Sequence, residues 1–302
     1  MPSDTSGRSL VVVGGDSLIG RQLLIDCEEM GISALASTRR RATAGANRFF
    51  LDMAGSRLAD CLPQLSSPII IVAAQTGFSA CEIDPTTEKI NIEAPVQLAK
   101  AALAANRRVI FISTSSVFDG ELPLCNEDDE VNPTAAYSIQ KAEAERQLSA
   151  LPGWATNGAV VRLTKVLAPG TAPIPAWRAI LGRGEPIAPF SDLVFAPISL
   201  EFASRSLIEI AFSPHCGNFH LSGVSDVTYA DFARAYLAAQ QLSQALVAPT
   251  TSAQAKVALF YRPRYGALGM ARTLRLTSIA PQSLSSVIAD LLQSEKFGKK
   301  VG

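Results

Sequence analysis

Short apolar runs recur through the first 163 residues, each bounded by turn residues: Ser9–Val13, Ile32–Ser37, Arg48–Leu51, Ile69–Ala73, Val109–Ser113 and Ala159–Leu163. They are rich in Val, Ile and Phe and lack a clean polar alternation, the pattern of a strand buried on both faces. Longer amphipathic stretches, Leu18–Met30, Thr86–Asn106 and Ala135–Leu151, lie between them. Strand and helix alternating at this spacing predict an α/β chain with a doubly wound parallel sheet. After Leu163 the texture changes, with Pro169, Pro173, Pro175, Pro186, Pro189 and Pro197 close together, which favours loops and short elements. Gly217–Leu221 reads as a further strand, Tyr229 to about Gln241 as a helix, and Ser283–Ser294 as a terminal helix. The expected organisation is a nucleotide-binding domain at 1–164, rejoined by 215–242. The segments 165–214 and 243–302 would then form a smaller, discontinuous substrate lobe.

At 302 residues, 48% hydrophobic and 18% charged, the chain can bury a large core. Lys+Arg and Asp+Glu are both 27, so no net field recruits nucleic acid or an anionic membrane. The cysteines, at 27, 61, 81, 125 and 216, are odd in number and show no CxxC spacing. With only His215 and His220 beside them, the reading is reduced thiols and no metal site. The first residues lack a signal-peptide pattern and no 18-residue apolar span occurs, so a cytoplasmic protein without membrane contact is expected.

VVVGGDSLIGRQLL runs from a strand through Gly14, Gly15 and Gly20 into a helix. Such a turn lets backbone approach a pyrophosphate, whose charge the helix N-terminus stabilises. Ser17 stands where a third glycine is usual; it can cap the helix but crowds the phosphate approach. A tight turn with no ligand would look the same locally. In a Rossmann-type sheet the second strand should end near Ser37, where a carboxylate would bind a ribose 2′-hydroxyl. The chain instead reads Thr38-Arg39-Arg40-Arg41. Guanidinium groups there suit a 2′-phosphate, which favours NADP(H) over NAD(H). Asp52, after the third strand, either accepts from the adenine amino group or caps the following turn. The expected cofactor cleft comprises Gly14, Asp16, Ser17, Leu18, Ile19, Gly20, Arg39, Arg40, Asp52, Met53, Ala73 and Ala74, with Tyr137 and Lys141.

The fifth strand ends in Ser113, Thr114, Ser115 and Ser116, and AAYSIQKAEAE places Tyr137 and Lys141 one helical turn apart. Strand C-terminal ends are where open α/β sheets hold ligands. A keto group that accepts hydride becomes an alkoxide and needs a proton within reach. Tyr137 can supply it if its pKa, normally about 10, is lowered by the Lys141 ammonium, which can also hold the nicotinamide ribose. Thr114 would orient the carbonyl, while the hydride comes from the cofactor.

With GGDSLIG and YSIQK stand ISTSSVFDG, CEIDP before KINIEAPVQLAKAA, VNPTAAYS, GNFHLSG and RPRYGAL, in order along nearly the whole chain. In these the chain resembles an extended short-chain dehydrogenase/reductase, and within that superfamily it is most similar to the dTDP-4-dehydrorhamnose reductase family. The resemblance implies that Thr114, Tyr137 and Lys141 fill the catalytic Thr/Ser–Tyr–Lys positions. It further implies an NADPH-dependent reductase of a 4-keto, nucleotide-linked sugar, and it suggests a homodimer. Alternatives on the same fold are a nucleotide-sugar epimerase or dehydratase, or a non-catalytic NADP-binding regulatory subunit. Ser17 replaces the family's middle glycine, and Ser115-Ser116 stand where those enzymes usually carry Asp-Tyr.

Asn91 is either catalytic or structural. Thr114, Ser115, Val117 and Arg262 are the substrate-side candidates; Val117 and its neighbour Phe118 could equally be packing residues. Arg178, Arg183 and Arg264 are weaker sources of the cations that a diphosphate needs.

Overall fold

The computed structural model describes residues 7–55 and 57–298. Seven parallel strands form the central sheet: β1 (Ser9–Val13), β2 (Ser33–Thr38), β3 (Arg48–Phe50), β4 (Ile69–Ile71), β5 (Val109–Thr114), β6 (Gly158–Leu163) and β7 (Gly217–Leu221). Their spatial order is β3-β2-β1-β4-β5-β6-β7, with every neighbour pairing parallel. The order reverses between β1 and β4, and a doubly wound sheet opens its ligand crevice at such a switch point.

Alternate side chains of each strand enter separate cores, which is why the strands read as unbroken apolar runs. On one face Leu10, Val12, Ile70, Ile110 and Val161 pack with Leu23 and Cys27 of α1 (Leu18–Glu29). Ala203, Leu207 and Ile210 of a second helix, here named α4 (Leu200–Phe212), complete that layer. On the other face Val11, Val13, Ile69, Ile71 and Phe111 meet Leu98 and Ala102 of α2 (Ala94–Ala104), and Ala144 and Leu148 of α3 (Ala136–Ser149). The helix expected over Thr86–Asn106 is not uniform. It opens as a short α-turn, Thr86–Glu88, widens into a π-helical turn at Lys89–Glu93, and resumes as α2.

A third core gathers Leu167, Trp177, Ile187 and Phe195 with Phe232 and Tyr236 of α5 (Tyr229–Ala239) and Val287 and Leu291 of α6 (Leu284–Gly298). Helix α5, expected with the nucleotide-binding part, thus packs among the later segments, while α4 covers the main sheet. Two short pairings tie these parts together: Lys165–Leu167 runs parallel to Pro197–Ser199, and Val194–Phe195 antiparallel to Val227–Thr228. Among the described residues no helix is long and apolar enough to cross a membrane.

Candidate active site

The turn between β1 and α1 is closed by its own side chain. Ser17 Oγ accepts from the Gly20 N–H at 3.0 Å and donates to the Gly14 carbonyl at 2.7 Å. The serine that replaces a glycine is therefore the α1 N-cap. Gly14 has φ +103°, and a Cβ on it would lie 2.7 Å from the Ala73 backbone nitrogen. No side chain fits there. At Gly20 a Cβ would run into the Gly14 carbonyl. The result is a bare backbone cradle at a helix N-terminus, with Ala73 against its floor, and it fits a dinucleotide pyrophosphate.

At the end of β2 Arg39 and Arg40 are exposed, and Arg41 lies over the Phe50 ring at 3.8 Å. The absence of a carboxylate here, as read from the linear sequence, does not hold in three dimensions. The glycine turn carries Asp16 to the β2 end, where it accepts from Thr38 Oγ1 at 2.8 Å and pairs with Arg48 at 2.8 Å. Partial burial raises its carboxyl, but Thr38, the Arg39 N–H and Arg48 together hold it below its usual value. Asp16 is thus neutralised locally by Arg48, leaving Arg39 and Arg40 for an anion. Asp52 spends its carboxylate on the Ala54 N–H at 3.0 Å, the capping alternative, and the Met53 side chain is buried in the core.

A cavity of about 600 Å³ opens over the carboxyl ends of β1, β4, β5 and β6. Ser17, Leu18 and Ile19 line one side and Ala74 the floor, while Thr114, Ser115 and Tyr137 face it from β5 and α3. Thr114 Oγ1 lies 3.1 Å from Ser116 Oγ, which accepts from Ser138 Oγ at 2.7 Å. This hydroxyl chain fixes the β5 end against α3. The Tyr137 ring meets Phe78 edge-on at 5.4 Å, and Phe78 stacks on Tyr261 at 6.3 Å.

Lys141, one helical turn beyond Tyr137, is not among the residues lining the cavity; it is enclosed at 2% exposure, with Nζ 3.8 Å from the Phe111 ring centre. Burial pulls its ammonium down to about 7, against a partial lift from the Glu145 carboxylate one turn on. Nor is the Tyr137 phenol acidified. Burial pushes it above its usual value and the nearby Cys81 thiol adds to this. Tyr137 is accordingly held fully protonated at neutral pH, the form a proton donor needs.

Asn91, fully buried on the π-turn, accepts from the Gln75 N–H at 2.8 Å and donates to the Gln75 carbonyl at 2.9 Å and to Gln140 Oε1 at 2.8 Å. It ties the β4 exit to α3, a structural bond. Val117 and Phe118 are buried in a small cluster with Cys125 and Leu268, so packing accounts for them. Arg262 reaches the cavity rim and pairs with Asp192 at 3.1 Å. Arg178 pairs with Glu295 at 3.9 Å, Arg183 pairs with Glu185, and Arg264 rests near the Tyr265 ring; none of the three lines the cavity. His220 is buried against Arg162 and the Gly269 carbonyl, and burial drives its imidazole down to about 4. No group of three or more metal-ligating side chains occurs among the described residues.

Sequence reasoning missed Phe78, Thr76, Tyr229, Tyr261 and Lys165, all on the cavity wall. Lys165 was findable, since it follows the carboxyl end of β6 by two residues. The aromatics, Phe78 and Tyr229 at helix starts and Tyr261 in a loop, come from segments far apart in the chain and carry no local signal.

The RmlD substrate-binding domain model matches residues 8–297. The methionine adenosyltransferase 2 subunit beta of Xenopus tropicalis is 30% identical over 144 residues, 46% of this chain and 42% of that protein. The chain therefore spans less than half the length of that relative. A dTDP-4-dehydrorhamnose reductase of Streptomyces griseus is 26% identical over 275 residues, covering 87% of this chain and 86% of that one. The solved dTDP-4-dehydrorhamnose reductase of Bacillus anthracis, in complex with NADP, superimposes with a TM-score of 0.79 at 17% identity, over 95% of this chain and 99% of the other. A match that runs from the first sheet strand into the last helix takes in every element described above, and the chain belongs to the RmlD substrate-binding domain family.

Proposed function

We propose that the chain is a reductase that uses NADPH to reduce the 4-keto group of a nucleotide-linked sugar. The observation that supports this most is the meeting of Thr114 and Tyr137 on one cavity that Ser17, Leu18 and Ile19 at the head of α1 also line. Gly14, Ser17 and Gly20 would hold the pyrophosphate, with Arg39 and Arg40 beside a 2′-phosphate. NADPH, once bound, supplies the hydride. Thr114 Oγ1 donates to the substrate carbonyl and fixes its lone pairs toward the phenol. The Tyr137 hydroxyl gives its proton to the oxygen as negative charge develops there. An alkoxide is far more basic than a phenolate, so transfer is favourable even from a phenol whose pKa is raised. Lys141, one helical turn on along α3, would support the phenolate through the positive charge of its ammonium form. The two-lobe division belongs to the same reading: β1–β6 carry the cofactor, and the third core carries the sugar.

A second reading follows from the relatives named as a subunit beta, in which a fold of this kind serves as a partner protein. Retention of Thr114, Tyr137 and Lys141 together favours the enzyme. The test is NADPH oxidation against a panel of nucleotide-linked 4-keto sugars, with fluorescence titration of NADPH and NADH beside it. The reductase reading expects turnover of at least one sugar, with NADPH preferred. Tight NADPH binding with no sugar turned over supports the subunit reading instead.

A further inference from the structure

The substrate side of the cavity carries two cations, of which one is already paired with a carboxylate. Its described lining contains two charged side chains, Lys165 and Arg262, and no Asp or Glu. The two differ in what they already hold. Arg262 is exposed at the rim and committed to Asp192, whose carboxylate also takes the Ser252 N–H and hydroxyl. Lys165 belongs to a strand fixed in place by its parallel pairing with Pro197–Ser199, and among the described residues no carboxylate forms an ion pair with it. Lys165 is an exposed residue of the cavity wall, and the protein packed near its amine lowers the pKa from the usual lysine value.

Its location is set by register. Leu163 of β6 sits opposite Thr114 of β5, and Lys165 follows two residues later, roughly 7 Å farther along an extended backbone. A lysine side chain there reaches the space between the reactive hydroxyls and the wall formed by Val194, Phe195 and Tyr229. Lys165 stays exposed on this wall, so its ammonium is open to whatever enters the cavity, and an anionic group of the substrate can pair with it directly.

We propose that Lys165 is the seat for the anionic group of the substrate, a diphosphate or a carboxylate carried on the sugar. The proposal rests on the reductase reading for where the substrate lies, and it names the chemistry that holds it.

The test measures binding rather than turnover. Calorimetric titrations of the full chain would compare UDP and dTDP with uridine and thymidine, and UDP-glucuronate with UDP-glucose. Wild type, Lys165→Met and Lys165→Arg are assayed alike, with melting temperature and NADPH affinity as checks on folding. Losing a charge-assisted bond should weaken diphosphate binding by about tenfold or more in Lys165→Met. Lys165→Arg should keep most of the affinity, and the uncharged nucleosides should be indifferent to either change. If UDP binding is unmoved but Lys165→Met erases a preference for UDP-glucuronate over UDP-glucose, the seat stands and its occupant is the carboxylate. Equal affinities of wild type and Lys165→Met for every probe would overturn the proposal. So would parallel losses for nucleosides and diphosphates, or a wild type that binds no anion more tightly than its neutral counterpart. Failure of the reductase reading looks different: no sugar oxidises NADPH, while Lys165-dependent binding persists.

Discussion

Burying Lys141 costs stability in proportion to how long its charge must be kept, and that cost can be read in pH. The amine has a folded pKa of about 7 against an ordinary 10.5. Between those values the unfolded chain binds more protons than the folded one, so stability rises with pH across that window. Below about 7 both states are protonated and the penalty is constant. Denaturant midpoints measured from pH 7 to 9.5 should climb in the wild type, and Lys141→Met should flatten the slope. A wild-type profile that is flat there, or a variant with the same slope, would contradict the burial described here. Spacing put Tyr137 and Lys141 one helical turn apart and Thr114 at the end of the fifth strand, and it was the family resemblance that singled out the three. Their environments were not legible. Enclosure of Lys141 comes from Phe111 and α3 packing, and the carboxylate beside β2 comes from Asp16, which is 22 residues from Thr38 in the chain.

Between residue and molecule, the elements that aim the site are bound by few but well-buried polar contacts. The π-turn at Lys89–Glu93 is one of them. An extra residue in a helical turn turns Asn91 inward, where its amide links Gln75 after β4 to Gln140 on α3. Gln140 in turn donates to Thr87 Oγ1 at 2.9 Å, closing the network. Asn91→Ala orphans the Gln75 N–H and carbonyl and the Gln140 amide oxygen, and should destabilise the fold by about 1–3 kcal/mol. Chemical denaturation checks the stability loss. An unchanged midpoint would mean that water replaces the amide and that the turn is not held by it. The buried Arg162–Glu145 pair, 2.7 Å apart, ties β6 to α3 on the same helix that carries Tyr137 and Lys141. The sequence predicted the strands within a residue or two because uninterrupted Val and Ile runs have few alternatives. It read Thr86–Asn106 as one regular helix because a π-turn has no composition of its own. Helix α4 was passed over for a different reason: the surrounding prolines suggested loops, although Ser199 caps it, accepting from the Phe202 N–H at 3.1 Å.

Across the whole molecule, the sheet supplies the carboxyl-end edge of the cavity, while Phe78, Phe195, Tyr229, Tyr261, Lys165 and Arg262 from other segments form the rest of its wall. The doubly wound parallel sheet was readable from strand–helix alternation; the wall was not, since Phe78, Tyr229 and Tyr261 converge from segments far apart in sequence. In the proposed reaction the Tyr137 phenol gives its proton to the reduced carbonyl. Removing one oxygen atom tests it. With a sugar accepted by the wild type, Tyr137→Phe should bind NADPH with unaltered affinity and melt at a similar temperature, while single-turnover NADPH oxidation slows by about 10²–10⁴. A variant that binds NADPH and oxidises it at the wild-type rate would contradict the account.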